Sequence, residues 1–595
     1  MASLARLQPA LRVVLVLACL GLASATILWP LTGPDWAAGH YEGMRYLALA
    51  EHFQRVLRWT ASYPRWLPEL YGGHGYPTFV FYQPFVFFLD ALWRCAFPPA
   101  RALWATIWAL LVLGGSGAYL LGRRSGGLLW GLTVAGVFLL SPYLYVDLFV
   151  RHDLSELSSL MLLPWALFGL LLLLDRTRSG QPASSGPLCL LALSLSALIY
   201  AHPIIAILFC LFASPIAVAL CWREGRLDRR VAACLVAAAA FALLLSAPYW
   251  LPFVLMREEV QLQRTVGGVA SHHTVHWTQF FERAWGFGGS FPDSAADQMS
   301  FQLGAPHFAL ALGAALLCRK DRLLLLCFAV YLAAITAMTP WCSGLWQLPV
   351  LAQMQFPWRA LAITSALQTL VFAAAGGAFA RLRSPALQLF AAGALLTAIG
   401  AWQPYQFWRG PVIANIDVAL RDELSAARWQ IQHYSADEFR PKTAHGKPVP
   451  LRDARVLTAD YGELSFAPES NPSRIVAELR TPKSTWLRLQ QLYLPGWQVK
   501  INGAPVPDEE LRRDLRGDGT MRFRALLPAG ARSGRFRIEA GYAGPRGAGV
   551  ASAMAALGLL GLLGFNWSEQ RARSAAAARD QLRISPSEAA AEPLG

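Results

Sequence analysis

Apolar blocks of roughly 17 to 25 residues, the length that crosses the hydrocarbon core of a bilayer, recur along this chain. Leu11 to Leu28, Val231 to Leu255 and Leu323 to Met338 are apolar on nearly every side, without the polar face of a soluble surface helix. With 55% hydrophobic and 15% charged residues in 595, the composition excludes an ordinary soluble enzyme. Spans are expected near 11–29, 78–97, 102–121, 127–146, 158–175, 187–202, 204–221, 231–255, 305–318, 322–339, 360–380, 384–402 and 547–565, thirteen in all. Arg6 and Arg12 before Ala23-Ser24-Ala25 also fit a cleavable signal peptide, but the apolar run continues through Trp29 and favours a retained first span.

A formal charge of +15 would suggest nucleic acid in a soluble protein. Here the excess sits in short clusters between spans, such as Arg123-Arg124, Arg223 to Arg230 and Arg319 to Arg322. Such clusters mark cytoplasmic loops, so no nucleic-acid partner is expected. Loops 30–77, 147–157, 256–304, 340–359 and 403–546 then face outward. That leaves an odd number of crossings to fit between loop 30–77 and Arg123, where two candidates stand. Segment 78–97 is the weaker, because it carries Gln83, Pro84, Asp90 and Arg94.

The chain divides into a membrane domain 1–402, a β-rich outer domain 403–546, a final span 547–565 and an Ala-rich, charged, disordered tail 566–595. In the outer domain Trp497-Gln-Val-Lys-Ile501 alternates with period two and ends at Asn502-Gly503, and Arg522 onward and Arg535 onward repeat the pattern. A small β-sandwich is the expected fold. The nine cysteines lie in or beside apolar segments without ligand or redox spacing.

The polar residues that could carry chemistry are few. Loop 30–77 and the residues just beyond it supply Asp35, His40, Glu42, Tyr63, Arg65 and Tyr82 among Gly, Pro and aromatic residues, a composition suited to a substrate with a polar head and a lipid tail. Arg151, His152, Asp153 and Glu156 form the densest polar cluster beside a span. Asp153 and Glu156, three apart, share a helical face. That spacing can hold a divalent metal, although an internal ion-pair network is the preferred reading. Gln355-Phe-Pro-Trp-Arg359 sets a guanidinium at the start of a span, where fork and helix N-terminus together suit an anion. His202 before Pro203 either joins a site or caps a helix, and His272, His273 and His276 lack the packed scaffold that a zinc triad needs. No Walker loop, dinucleotide fingerprint or hydrolase elbow is visible.

On these residues the chain resembles bacterial membrane proteins of the GT-C superfamily, near the YfhO-like proteins and the membrane proteins related to 6-pyruvoyl-tetrahydropterin synthase. The resemblance rests on Asp35 with His40, Tyr63-Pro-Arg-Trp66, Gly72 to Pro77 with Tyr82 and Pro84, Arg151 with Glu156, His202-Pro203, Pro248 with Leu251-Pro252, Gln355 to Arg359 and Leu494-Pro-Gly-Trp497. It implies a GT-C-like fold, a polyprenyl-phosphate-linked sugar donor, an envelope glycan, lipid or protein acceptor, and a multi-pass place in a bacterial inner membrane. It makes Asp35 the leading general base, with His40 and Glu42 beside it, and makes Tyr63, Arg65, Tyr82, Arg151, Asp153, Glu156, His202, Gln355 and Arg359 candidates for substrate binding. No cofactor is assigned beyond the divalent metal that the Asp153 and Glu156 spacing can hold, and the adjacent acidic pair of protein O-mannosyltransferases is absent. The alternative is a non-catalytic or transport protein that binds lipid-linked glycans.

Overall fold

The computed structural model describes residues 9–32, 41–178, 185–223, 226–262, 269–283, 286, 289–382, 384–402, 437–444, 456–513 and 518–584. The helices used below are α1 Pro9–Ile27, α2 Tyr41–Thr60, α3 Phe85–Trp93, α4 Pro99–Leu139, α5 Leu154–Arg178, α6 Ser185–Ala201, α7 Pro203–Cys221, α8 Arg229–Met256, α9 Ala305–Leu317, α10 Arg322–Ala337, α11 Ala360–Ala373, α12 Pro385–Trp402 and α13 Ala548–Ile584. Among the described residues eight helical runs are long and apolar enough to cross a membrane, nine if the bent pair around Pro340 is one span. The protein is a polytopic helical membrane protein. α1, α8 and α13 leave large apolar side chains such as Val14, Val236 and Leu560 exposed, as lipid-facing helices do.

The 41-residue α4 contains the expected span 102–121 and the expected span 127–146 as far as Leu139. Gly127, at φ +81°, breaks the helical path. The chain then doubles back, since a side chain at Gly122 would meet Val134 at 2.7 Å and one at Gly131 would meet Tyr119 at 2.7 Å. Arg123 and Arg124 thus mark a helical hairpin. Segment 78–97 is instead broken into Thr78–Phe81 and the nine-residue α3, whose roughly 14 Å cannot cross a bilayer of about 30 Å. Asp90 of α3 pairs with Arg94, which also reaches Glu51 of α2 at 2.7 Å. The polar residues that weakened this candidate span therefore serve as a brace between α2 and α3.

Two expectations are corrected here. Loop 30–77 contains a 20-residue helix, α2, because Leu47, Ala50, Phe53 and Val56 recur at helical spacing and are buried. The tail expected to be disordered from 566 continues as helix to Ile584, since alanine with charged residues has high helix propensity and extends the final span.

The β region comprises β1 Leu457–Ala459, β2 Glu463–Phe466, β3 Arg474–Thr481, β4 Thr485–Leu492, β5 Trp497–Ile501, β6 Ala504–Pro505, β7 Thr520–Ala525 and β8 Gly534–Tyr542. They form antiparallel sheets ordered β2-β3-β8-β5-β6 and β1-β4-β7. β3 and β4 alternate buried and more exposed residues over most of their length, as a sandwich requires. The expected Asn502-Gly503 turn is present, both residues at positive φ, the geometry of a two-residue hairpin.

A clasp joins this region to the membrane helices. Trp66 Nε1 donates to Gln491 Oε1 at 2.9 Å, and Gln491 Nε2 donates to the carbonyls of Pro68 and Gly73 at 3.1 and 2.8 Å. The Trp66 ring stands edge-on to Trp497 and tilted on Tyr542, which face each other in the β5–β8 register. The Gly72 to Pro77 stretch and Trp497 are packing elements of this joint.

Candidate functional site

The site forms where three helices begin. Before α5 the chain makes a short helix Pro142–Tyr145 and a π-helical turn Val146–Arg151, then places His152 in the left-handed region at φ 54°. Such wide turns and left-handed non-glycine residues cluster at functional sites. Asp153 caps α5, its Oδ1 accepting the Glu156 amide at 3.1 Å. His202 caps α7, its Nδ1 accepting the Ile205 amide at 3.4 Å. Arg359 closes the 3-10 turn that leads into α11, after Gln355 at φ 47° has turned the backbone.

These residues meet. Arg151 pairs with Asp147, with Asp153 at 2.9 Å and with Glu156 at 2.9 Å. Arg359 Nε reaches the same Glu156 carboxylate at 3.2 Å, and the Tyr143 hydroxyl donates to the other oxygen. Arg151 also lies 4.6 Å from the centre of the Trp358 ring. Ligand atoms of Asp153, Glu156 and His202 lie within 4.8 Å of one another. Asp147 and Glu156 are fully buried.

Three carboxylates thus face two guanidiniums. Burial, with the Glu156 charge beside it, pushes the Asp147 carboxyl well above the usual range, against the pull of Arg151. For Asp153 burial is the largest influence and pushes upward, but Arg151, His202, Arg359 and the Glu156 amide together outweigh it and hold the carboxyl below its ordinary value. Burial brings His152 down to about 4, so it is neutral near pH 7. The cluster is held together by these ion pairs. The N-termini of α5, α7 and α11 converge on it, each worth roughly half a positive charge, and bias the site toward an anion.

The Asp, Glu and His donors have the chemistry of a divalent-cation site, but the Arg151 guanidinium already bridges the two carboxylates and His202 Nδ1 is taken by the α7 cap. As folded, the arrangement is an internal ion-pair network, with Arg151 where a metal would bridge Asp153 and Glu156.

Beside the cluster lies a narrow crevice lined by Arg45, Tyr46, Leu49, Tyr82, His152, Asp153 and Leu154. Arg45 stands 5.3 Å from the centre of the Tyr82 ring. Asp153 therefore belongs to both cluster and crevice. Of the residues picked out from sequence, Arg151, Asp153, Glu156, His202 and Arg359 come together, with Tyr82 across the crevice. Gln355 acts through its backbone turn. Tyr63 and Arg65 make no contact with the cluster, Arg65 donating to the Pro248 carbonyl at 2.9 Å. Asp35 and His40 lie outside the described residues, as does the side chain of Glu42 at the start of α2. Of the three histidines read as non-zinc, His272 pairs with Asp293, His273 with Ser290, and His276 caps the turn Trp277–Phe280.

Tyr143, Asp147 and Arg45 are missed by reading the sequence. Asp147 and Arg151 are four apart, an ion-pair spacing, but the apolar run Leu144 to Val150 hides it. Arg45 carries no motif at all.

Residues 79–403, more than half of the chain, match the family described as 6-pyruvoyl-tetrahydropterin synthase related domain, membrane protein. The chain belongs to this family. The family segment starts on the Thr78–Phe81 turn and runs through α12, so it holds Tyr82 and the whole ion-pair cluster and stops before the β region. Among solved structures, the apo oligosaccharyltransferase of Archaeoglobus fulgidus is similar with 12% identity and a TM-score of 0.41, over 72% of this chain and 61% of that one. The archaeal oligosaccharyltransferase AglB from the same organism, in complex with an inhibitory peptide and a dolichol-phosphate, is similar with 14% identity and a TM-score of 0.36, over 73% of this chain and 56% of that one. The chain spans less than two thirds of the length of either. No curated protein matches.

Proposed function

We propose that this family member is a membrane glycosyltransferase that moves a sugar from a polyprenyl-phosphate-linked donor to an envelope glycan, lipid or protein at the outer face of a bacterial inner membrane. The observation that carries the reading is the convergence of Arg151, Asp153, Glu156, His202 and Arg359 at three helix N-termini, beside a crevice that Asp153 borders. An acceptor oxygen attacks the anomeric carbon, the bond from that carbon to the phosphate oxygen breaks, and the acceptor proton passes to a carboxylate. Arg359 and the helix N-termini supply fixed positive charge for the departing phosphate. Asp35 remains the leading base through the family resemblance, and Asp153 is the described carboxylate nearest to that role.

Purified protein given a radiolabelled polyprenyl-phosphate sugar and a cell-envelope extract tests this. Asp35→Asn and Asp153→Asn are each expected to lower transfer by roughly 100-fold or more, with melting temperature unchanged for the first. Full transfer by both variants would remove these carboxylates from the chemistry.

One observation favours a second reading, a protein that binds lipid-linked glycans without turning them over. All three carboxylates that meet Arg151 are already paired within the protein itself. Donor retained by wild-type protein with no sugar released, under any acceptor supplied, is the outcome that selects it.

A further inference from the structure

Arg65 stands apart from the cluster. Its Nη2 donates to the Pro248 carbonyl at 2.9 Å and its guanidinium lies 4.3 Å from the centre of the Tyr63 ring. Among the described residues no carboxylate pairs with it, and its Nε is buried without a hydrogen-bond partner. The Tyr63 hydroxyl is likewise buried and unpartnered. Burial pushes the Arg65 guanidinium down from its ordinary value, opposed by tyrosines 63, 542 and 200 and by no acidic residue. A cation so placed is unfavourable unless an anion meets it.

The surroundings say where that anion comes from. Pro248 lies in the last third of α8, and the far end of that helix meets the β region, where Glu259 pairs with Arg546 at 3.3 Å. The same stretch of α8 exposes Leu243, Val254 and Leu255, as a lipid-facing surface does. Arg65 thus sits at the seam between the last turns of a spanning helix and the β region.

We propose that Arg65, backed by Tyr63, seats the phosphate of a membrane phospholipid, at a place distinct from the Arg151 cluster and whether or not that cluster transfers sugar. A guanidinium offers two parallel N–H groups to one phosphate, and the orphaned Nε is half of that fork. Occupancy would fix Tyr63 to Trp66, and through the Trp66–Gln491 bond the docking of the β region.

The test is native mass spectrometry of the full chain, delipidated and titrated with phosphatidylglycerol or with diacylglycerol, which lacks phosphate. Wild type is expected to hold one phosphatidylglycerol at least about tenfold more tightly than Arg65→Gln, with a smaller loss for Tyr63→Phe, no loss for the exposed control Arg257→Gln, and no preference for diacylglycerol. Inorganic phosphate competing at millimolar levels would assign the seat to phosphate from any source, and failure to compete would assign it to the lipid. Equal phosphatidylglycerol affinity in wild type and Arg65→Gln overturns the proposal. If Arg65→Gln does not fold, Arg65→Lys keeps the charge and loses the fork, and wild-type affinity in both Arg65→Lys and Tyr63→Phe overturns it equally. Because the readout is binding, failure here leaves the transferase reading standing, and the reverse also holds.

Discussion

Glu156 is the residue on which the cluster turns. It accepts from Tyr143, Arg151 and Arg359 while fully buried, so Glu156→Gln removes the charge that both guanidiniums need. Breaking a buried ion pair on one side costs about 3–5 kcal/mol. Glu156→Gln is therefore expected to lower thermal stability sharply, whereas Tyr143→Phe, which deletes one neutral donor, is expected to cost about 1 kcal/mol. Melting both variants in detergent checks the order, and equal losses would place the weight elsewhere. His152 gives a pH prediction. Burial depresses its folded value to about 4 from an ordinary 6.5, so the unfolded chain binds the proton more readily and stability falls as pH drops through that window. His152→Asn is expected to flatten the loss between pH 6.5 and 4 relative to wild type, by roughly 1.4 kcal/mol for each pH unit that His152 itself contributed. An unchanged slope would mean that His152 does not carry it.

At the scale of elements, close helix contacts are set by glycines whose absent side chains leave room. A Cβ at Gly117 of α4 would meet Pro164 at 2.9 Å and the Trp165 backbone nitrogen at 3.1 Å on α5. Backbone cannot give way as a side-chain tip can. Gly117→Val is therefore expected to cost about 1–3 kcal/mol through overpacking and to lower the melting temperature, while Gly377→Val, with open space around its Cβ, changes it much less. Because α5 carries Asp153 and Glu156, the first variant should also lose transfer activity, and the second should keep it.

At the scale of the whole molecule, the Trp66–Gln491 clasp decides whether the β region stays docked. Gln491→Leu would orphan Trp66 Nε1 and the carbonyls of Pro68 and Gly73, and each buried orphan costs about 1–3 kcal/mol. Limited proteolysis should then release a β fragment more readily than from wild type. Gly75→Ala attacks the same joint independently. Gly75 is at φ +76° and a Cβ there would meet Gln491 Oε1 at 2.3 Å and Trp66 at 2.5 Å. Wild-type digestion rates in both variants would show that the joint is held elsewhere.

Membrane insertion, helical class and the presence of a β region were legible from sequence, because each depends on composition and period over windows of ten to twenty residues: Val231 to Leu255 for a span, Trp497 to Ile501 for a strand, Asn502-Gly503 for its turn. α2 escaped that reading because charged and polar residues such as Glu51, His52 and Arg55 interrupt its apolar ones. The site was legible only as fragments. Arg151 to Glu156, His202 and Arg359 could each be picked out as unusual polar residues next to apolar runs, but that they share one Glu156-centred cluster follows from how α5, α7 and α11 pack, over separations as large as 203 residues between Glu156 and Arg359. Tertiary structure alone decided that Arg65 stands apart and that Asp147 belongs, because burial and charge pairing are properties of the neighbours that folding brings, and no local pattern encodes them.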